Sequence, residues 1–251
     1  MSPPRELREV PAIRGGVSCH ELATWVADFG VVAGITNRGT DFGLSSAEPA
    51  KAVLDRWRCL RAALRPDFGV VIVAHQCHGK ALATHQAPGS RWRVEDDTDG
   101  HLTDQRGLLL GVTVADCVPV YLVQHDGPWI GLLHAGWRGI AGGIVEHGIS
   151  RMCELAACGP SAIVMHCGAS VCANCYEVGS EVYETVTGVS ADGNRHLDLS
   201  AVIVKRAERS GVRRATVSPW CTAHDQKAFY SHRRSGGADG RMVAYLGRPS
   251  P

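Results

Sequence analysis

The chain has 251 residues, of which 45% are hydrophobic and 20% charged. This length is within the range of one domain, and the apolar content is enough to bury a core. The 26 basic and 25 acidic residues give a formal charge of +1, so the sequence has no basic field for nucleic acid or anionic lipid. We therefore expect neither nucleic-acid nor membrane binding.

The ends of the chain and its ten cysteines indicate the compartment. Residues 1–14 are polar and have no apolar stretch behind a basic start, which argues against a secretory signal. In a chain that is neither short nor evidently exported, the cysteines favour reduced thiols, a few of which bind metal or react. We predict a cytoplasmic protein, a monomer by default, with a loose tail over residues 1–16 and a single catalytic domain over residues 17–247.

The hydrophobic pattern predicts strands and helices that alternate irregularly along the chain. The predicted strands cover residues 70–74, 108–115, 118–123, 129–134, 161–167, 212–219 and 241–246. A helix is expected after Gly139, another over residues 177–186, and a third from an N-cap at Ser200 to about Arg209. Because strands follow one another directly as well as through helices, we predict an α+β fold, a single domain of mixed β-sheets flanked by helices.

Metal-capable side chains lie where the predicted strands end. His78 follows the strand over 70–74, Cys117 lies between the strands over 108–115 and 118–123, and His134 ends the strand over 129–134. Two histidines and one cysteine are the protein ligands of an open zinc site, which leaves a fourth position for water or substrate. Each residue alone is also typical of a structural position, so the pattern by itself leaves both interpretations open.

Short motifs in a fixed order, between about Arg38 and Leu246, carry a family resemblance. They are Q-C-H-G at 76–79, D-G-H-L-T at 99–103, A-D-C-V-P-V at 115–120, H-A-G-W-R-G at 134–139, C-Y-E-V-G at 175–179 and F-Y-S-H-R-R at 229–234. Each motif is modest, but the ordered set is specific. The chain resembles the YfiH/LACC1 family, whose members have been labelled laccase-like polyphenol oxidases and also purine nucleoside phosphorylases.

The resemblance implies a CNF1/YfiH-like fold and makes His78, Cys117 and His134 the metal-binding and catalytic trio. It also implies the reaction, which is phosphorolysis of adenosine, inosine or guanosine to the free base and ribose-1-phosphate, with adenosine deamination at the same site. The expected partners are a small-molecule nucleoside and phosphate. The expected cofactor is Zn²⁺, with copper less favoured.

Other polar residues near the motifs have two interpretations each. Arg38, Arg138 and Arg233 are candidates for binding phosphate or ribose, because guanidinium groups bind phosphate bidentately, but they are also typical of surface or helix-capping positions. Asp116 could orient a ligand imidazole or could satisfy backbone donors where the strand bends. His75 occupies a position that the family motif does not require, and we expect a structural or supporting role for it.

Two further segments depart from the family pattern. The segment 36–44 lacks the loop that usually follows the family's arginine, which affects substrate preference. Cys172-x-x-Cys175 stands where the family has adjacent cysteines; a lone pair of this kind is a weak sign of a redox or structural zinc site, and Cys167 is only a loose third candidate. We favour a structural or incidental role for the pair over a redox one.

Three alternatives remain open. A copper oxidase acting on phenols suits two histidines and one cysteine, but none of the twelve histidines forms the H-x-H pair of multicopper oxidases. A peptidoglycan-precursor amide hydrolase would use Cys117 as a nucleophile that His134 activates. A binding protein for nucleosides or metal would keep the site without catalysis.

Overall fold

The computed structural model describes residues 9–43, 49–64, 67–86 and 91–251. In these ranges the strands are β1 Glu9–Arg14, β2 Val17–Leu22, β3 Val32–Thr36, β4 Val70–Ala74, β5 Leu82–His85, β6 Trp92–Glu95, β7 Gly100–Thr103, β8 Leu108–Val114, β9 Val118–Gln124, β10 Ile130–Ala135, β11 Ile163–Cys167, β12 Glu177–Val178, β13 Arg195–His196, β14 Arg214–Val217 and β15 Met242–Gly247. The helices are α1 Thr24–Phe29, α2 Ala50–Leu64, α3 Trp137–Ala141, α4 Ile144–Ala156, α5 Ser180–Thr187, α6 Leu199–Arg209 and α7 His232–Ser235, with 3₁₀ turns at Pro160–Ala162 and Ala173–Cys175.

Two mixed sheets form the centre of the domain. The seven-stranded sheet has the order β1-β2-β3-β15-β8-β4-β6, and the six-stranded sheet has the order β14-β11-β9-β10-β7-β5. Strands β12 and β13 form a separate pair. Apolar residues of both sheets pack together between them, and the hydroxyl of Tyr121 in β9 donates to the carbonyl of Gly34 in β3 at 2.8 Å. The two sheets therefore lie face to face and enclose the main core.

Strand periodicity explains why both faces of the inner strands are apolar. In β9, Val120 and Leu122 pack on the side of the helices, whereas Tyr121 and Val123 point into the core between the sheets. Successive side chains of a strand point to opposite faces, so a strand buried on both sides needs a nearly continuous apolar run. The predicted α+β class with mixed sheets flanked by helices is confirmed.

Helices cover the outer face of each sheet. Helices α4 and α6 pack on the six-stranded sheet through residues such as Ile149 and Ile203. Helix α2 packs on the seven-stranded sheet through Trp57 and Leu60. The layers are therefore helix, sheet, sheet and helices. No helix in the described part of the chain is long and apolar enough to cross a bilayer.

Strand direction brings the ends of three strands to one edge. Strands β4 and β8 are parallel neighbours, so their carboxyl ends lie together. The chain then crosses from β8 to β9, and β10 runs antiparallel to β9 with Ala135 opposite Val118. The end of β10 therefore lies beside the start of β9, next to the point where the chain crosses between the sheets.

Four predicted elements differ from the structure. The runs over 108–115 and 118–123 were predicted as one strand interrupted or bent near Asp116, but β8 and β9 belong to different sheets. The helix predicted over 177–186 begins at Ser180, and Glu177–Val178 form β12 instead. The helix expected after Gly139 is divided into α3 and α4, because Gly143 adopts a positive φ of 86° that interrupts it. Asp198, rather than Ser200, caps α6 and accepts from the amide of Ala201 at 2.8 Å.

The predicted ends of the domain also shift. Residues 9–14, expected in the loose tail, form β1 and pair with β2, while residues 1–8 lie outside the described residues. At the other end, Arg248 is buried and donates to the carbonyls of Phe29, Gly127 and Pro128. A buried guanidinium needs such partners, so the ordered chain extends beyond residue 247.

Candidate active site

The turn after β4 is held by a buried carboxylate. Asp99 precedes β7, and its side chain accepts from the backbone amides of Gly79 at 2.7 Å, His78 at 3.0 Å and Cys77 at 3.3 Å. His78 adopts a left-handed φ of 61°, which is uncommon for a residue with a Cβ. The three hydrogen bonds to one carboxylate stabilise this strained turn and fix the position of the His78 side chain.

The crossing between the two sheets positions Cys117. Asp116 before it has a φ of 87°, another strained non-glycine conformation. The Asp116 carboxylate accepts from the hydroxyl of Thr222 and the amide of Arg233, both at 2.6 Å. These contacts favour the second of the two interpretations that the sequence left open for Asp116, because its hydrogen-bond partners are a hydroxyl and a backbone donor and not a ligand imidazole.

The third candidate ligand ends β10. His134 is only 2% exposed, and its Nδ1 lies 2.9 Å from Oδ1 of Asp99. The carboxylate accepts the Nδ1 proton, which leaves Nε2 as the ring atom available for a metal. Asp99 therefore both holds the turn of His78 and orients the His134 imidazole.

The three predicted ligands converge. One ligand atom from each of His78, Cys117 and His134 lies within 4.8 Å of the others. Bond lengths of about 2.0–2.3 Å to zinc place tetrahedral ligands roughly 3.3–3.6 Å apart, so small side-chain adjustments close the set around one ion. A Cβ on Gly136 would lie 2.9 Å from the Cys117 sulfur, which explains the glycine beside the cluster.

The charges of the trio are mutually dependent. Burial raises the pKa of the Cys117 thiol, but the charges and hydrogen bonds of His134 and His78 outweigh burial and lower its pKa to about 6. Burial lowers the pKa of His134, but Cys117 and Asp99 outweigh it and raise the pKa to about 9. Although burial opposes it, hydrogen bonds from His134, Cys77 and Gly79 hold the pKa of Asp99 well below its usual range. The lowered pKa of Cys117 favours its thiolate, which is the form that binds metals.

The trio opens on a cavity of about 960 Å³. Its walls include the aromatic rings of Trp137, Tyr176 and Tyr230. Guanidinium groups also line it: Arg138 stacks on Trp137 at 4.2 Å from the ring centroid, and Arg233 stacks on Tyr176 at 4.9 Å. A concave site with apolar rings and a few charged groups is typical of small-molecule pockets.

The structure separates the three candidate arginines. Arg138 and Arg233 line the cavity, whereas Arg38 is not among its described lining residues. Arg38 instead forms an ion pair with Asp239 at 3.0 Å and lies over the ring of Tyr230. This cation is already engaged by a carboxylate, which makes it a weaker candidate for phosphate binding than the other two.

Sequence reasoning missed two residues of this site. Asp99 lies in the recognised D-G-H-L-T motif but received no role; an acidic residue just before an apolar strand was the available signal. Arg241, the residue immediately before β15, also lines the cavity. His75, for which a supporting role was expected, lines the cavity with an exposed side chain.

The family model described as multi-copper polyphenol oxidoreductase laccase matches residues 26–249. The chain belongs to this family. Similar curated proteins include purine nucleoside phosphorylase YlmD of Geobacillus stearothermophilus, 32% identical over 208 residues that cover 78% of this chain and 73% of that protein. A purine nucleoside phosphorylase of Streptomyces coelicolor is 32% identical over 87% of this chain and 91% of its own. Adenosine deaminase RL5 from an unknown prokaryotic organism is 30% identical over 80% and 84%.

Solved structures give the same assignment. YlmD from Geobacillus stearothermophilus superposes with a TM-score of 0.85 at 27% identity, covering 96% of this chain and 100% of that one. The hypothetical protein YfiH of Bacillus licheniformis superposes with a TM-score of 0.82 at 25% identity, covering 91% and 96%. The YfiH-like fold predicted from the motifs is confirmed.

Proposed function

We propose that the chain is a zinc-dependent purine nucleoside phosphorylase with adenosine deamination as a side activity. The observation that carries the proposal is the convergence of His78, Cys117 and His134 at the base of a cavity that also presents Arg138 and Arg233. The names of the similar proteins, purine nucleoside phosphorylase and adenosine deaminase, supply the substrate class.

The donor set fits zinc. Two imidazoles and one thiolate leave one tetrahedral position free, which is the arrangement of catalytic zinc sites. When bound there, zinc supplies Lewis acidity towards a substrate oxygen. Copper tolerates the same donors, but a trinuclear copper centre draws on paired histidines, and the trio contains only two. His78, Cys117 and His134 would hold the ion, and Asp99 would keep His134 oriented towards it.

The cavity offers groups for each part of a nucleoside and phosphate. Arg138 and Arg233 can bind the phosphate through charge-assisted hydrogen bonds, and Trp137 and Tyr176 can pack against the purine. In phosphorolysis a phosphate oxygen forms a bond to C1′ while the bond from C1′ to N9 breaks. The purine leaves with the electron pair, and His75, which also lines the cavity, can supply the proton it needs.

The test combines metal content with turnover. Elemental analysis of the wild-type protein and of Cys117→Ala should show that the variant has lost one zinc per chain. Inosine should then yield free base and ribose-1-phosphate only when phosphate is present, whereas adenosine should also yield ammonia without phosphate. Zinc at the trio without turnover of any purine nucleoside would refute the phosphorylase proposal, and copper with oxidation of phenols would replace it by an oxidase.

A second candidate function rests on the alignment of Asp99, His134 and Cys117. The carboxylate contacts the imidazole at 2.9 Å, and the imidazole neighbours the thiol, as in enzymes with an activated cysteine. In a peptidoglycan-precursor amide hydrolase, the Cys117 sulfur would attack the carbonyl carbon, His134 would protonate the leaving amine, and water would release the acyl group. Amide hydrolysis that persists in zinc-free protein and stops on alkylation of Cys117 would favour this function.

A further inference from the structure

A second group of metal-capable side chains lies outside the active site. Cys172 precedes the 3₁₀ turn Ala173–Cys175 in the loop between β11 and β12, and Cys175 is the last residue of that turn. Cys221 and His224 lie in the loop between β14 and α7. The sequence analysis expected at most a structural or incidental role for the first pair and considered Cys167 as a third member. Cys167 is instead buried in β11, and the second pair comes from a separate loop.

The four side chains are within coordination reach of a single ion. One ligand atom from each lies within 4.8 Å of the others. The Cys175 sulfur is 3.1 Å from Nε2 of His224, and the Cys172 sulfur is 3.6 Å from Nδ1 of the same ring. Only one ring nitrogen can bind the ion, so the two distances are not both separations between ligand atoms. Because His224 is exposed, its ring can turn to direct one nitrogen at the three sulfurs, and tetrahedral zinc needs ligand separations of roughly 3.3–3.8 Å.

The backbone is arranged to support a thiolate at Cys221. The amides of Cys172 and His224 donate to its sulfur at 3.3 and 3.4 Å. The amide of Cys221 itself donates to Asp225 at 2.9 Å, which fixes the turn. Backbone donors aimed at a sulfur stabilise its negative charge and are typical partners of metal-bound cysteine.

We propose that Cys172, Cys175, Cys221 and His224 bind a second zinc ion that has a structural role. The sequence spacing is C-x-x-C followed at a distance by C-x-x-H, a Cys₃His set of the kind that structural zinc sites use. Three thiolates and one imidazole select zinc over hard cations such as magnesium or calcium. With four protein ligands the ion has no open position, in contrast to the trio at the cavity.

The location indicates what the ion stabilises. It joins two loops that also meet through a short bridge between Ser170 and Cys221 and through the hydrogen bond from the Thr222 amide to the Ser170 carbonyl. Tyr176, which follows Cys175, lines the cavity, and Thr222, which follows Cys221, donates to Asp116. The second ion therefore fastens the wall of the active site and the support of the Cys117 turn, without contacting substrate.

The experiment measures zinc per chain in five proteins purified under reducing conditions. Wild type should hold two zinc ions. Cys175→Ser and His224→Ala should each hold one, Cys117→Ala should hold the other one, and Cys59→Ser should keep both because Cys59 is exposed on α2 and belongs to neither group. His224 is exposed, so its substitution tests the site even where a cysteine variant does not fold.

Cobalt(II) distinguishes the two sites by their sulfur count. In Cys117→Ala the remaining ion has three thiolate ligands, and in Cys175→Ser the ion at the trio has one, so the charge-transfer absorption per cobalt should differ about threefold. Equal zinc content in wild type, Cys175→Ser and His224→Ala would overturn the proposal. So would a Cys172–Cys175 disulfide that persists in wild-type protein purified in the presence of reductant and zinc. Neither result depends on the nucleoside reaction, so the two proposals fail separately.

Discussion

The two cysteine–histidine groups differ in how the fold builds them. The trio sits at the ends of buried strands, opens on the large cavity and has its imidazole oriented by Asp99. The four-residue group sits in two loops, is half-buried, and contributes none of its ligands to that cavity. Three ligands beside a cavity leave room for substrate, whereas four ligands in loops leave none. The two proposals therefore give the first group a role in catalysis and the second a role in holding the loops together.

Removal of the trio's thiol should have the largest effect. Cys117→Ala deletes one of three ligands, so the zinc of the trio should be lost and nucleoside turnover should fall to background. The fold should persist, because the core between the sheets is untouched. Steady-state assays, zinc analysis and circular dichroism check this, with Cys153→Ser as the control for loss of a half-buried thiol elsewhere. Retained turnover in Cys117→Ala would show that the trio is not catalytic.

Asp99→Asn should weaken zinc binding by the trio without removing any of its three ligands. The amide keeps the shape of the carboxylate but loses charge and one acceptor, so His134 and the His78 turn are less well held. Loss of such an orienting carboxylate typically costs about 10–100-fold in metal affinity or activity. Zinc titration against a chelating dye measures the change. Asp97→Asn, at an exposed turn two residues away, is the matched control. An equal loss of zinc affinity in both variants would show that Asp99 does not orient the ligands.

The group formed by Cys172, Cys175, Cys221 and His224, called the loop group below, should affect thermal stability rather than turnover. Cys175→Ser should lower the melting temperature by about 4–8 °C, corresponding to roughly 2 kcal/mol for a chain of this size. Turnover measured well below the transition should remain. A chelator should lower the wild-type melting temperature by a similar amount and should have little further effect on the variant. A variant that melts like wild type but has lost turnover would reverse the roles assigned to the two groups.

Substitutions of Arg138 and Arg38 compare an arginine that lines the cavity with one that is held in an ion pair. Arg138→Met should raise the Michaelis constant for phosphate about 10-fold, since a charge-assisted hydrogen bond to phosphate contributes about 1.5 kcal/mol or more. Arg38→Met removes a partly exposed ion pair with Asp239, and such pairs contribute about 0–1 kcal/mol to stability. It should therefore leave phosphate affinity unchanged. The opposite order of effects would place the phosphate outside the cavity.

The trio was accessible from the sequence because each member lies in a motif at a strand end. The residues that support it were harder to find. Asp99 acts through three backbone amides and one ring, and such contacts depend on the pairing of β7 with β10, which no local pattern specifies. Arg38 and Arg233 were both candidates from the sequence, and the tertiary structure distinguishes them: Arg38 pairs with Asp239, whereas Arg233 lines the cavity.

The loop group was missed because its two halves are far apart in the chain. Cys172-x-x-Cys175 alone is a weak signal, and Cys221-x-x-His224 was not recognised as its complement. The parallel pairing of β11 with β14 brings the two loops together, and pairing between distant strands cannot be derived from the spacing of cysteines. Elements with strong periodicity, such as β4 and β15, were predicted within one residue, because periodicity is a local property.

The smallest expected effect is on the stability of the fold at acidic pH, through two buried histidines of the six-stranded sheet. His101 in β7 is fully buried, with its Nδ1 3.1 Å from Nε2 of His85. Burial, together with the charge of His85, lowers the pKa of His101 to about 3, and burial also lowers the pKa of His85. Both rings are therefore neutral in the folded protein near neutral pH, and one N–H between them satisfies both facing nitrogens.

The sign of the pH effect follows from proton binding. As the pH falls below the ordinary histidine value of about 6.5, the unfolded chain binds a proton at His101 that the folded protein does not, so the free energy of unfolding decreases. Each such proton contributes up to about 1.4 kcal/mol per pH unit to the free energy of unfolding.

Urea titrations between about pH 7 and about pH 5 measure this pH dependence. His101→Asn should reduce the slope of unfolding free energy against pH by up to the contribution of one proton. Leu102→Ala, a core change in the same strand that removes no titrating group, should leave it unchanged. Because the slope, and not the absolute stability, is compared, a cavity left by the smaller side chain does not affect the result. An unchanged slope in His101→Asn would mean that the acid sensitivity of the fold originates elsewhere.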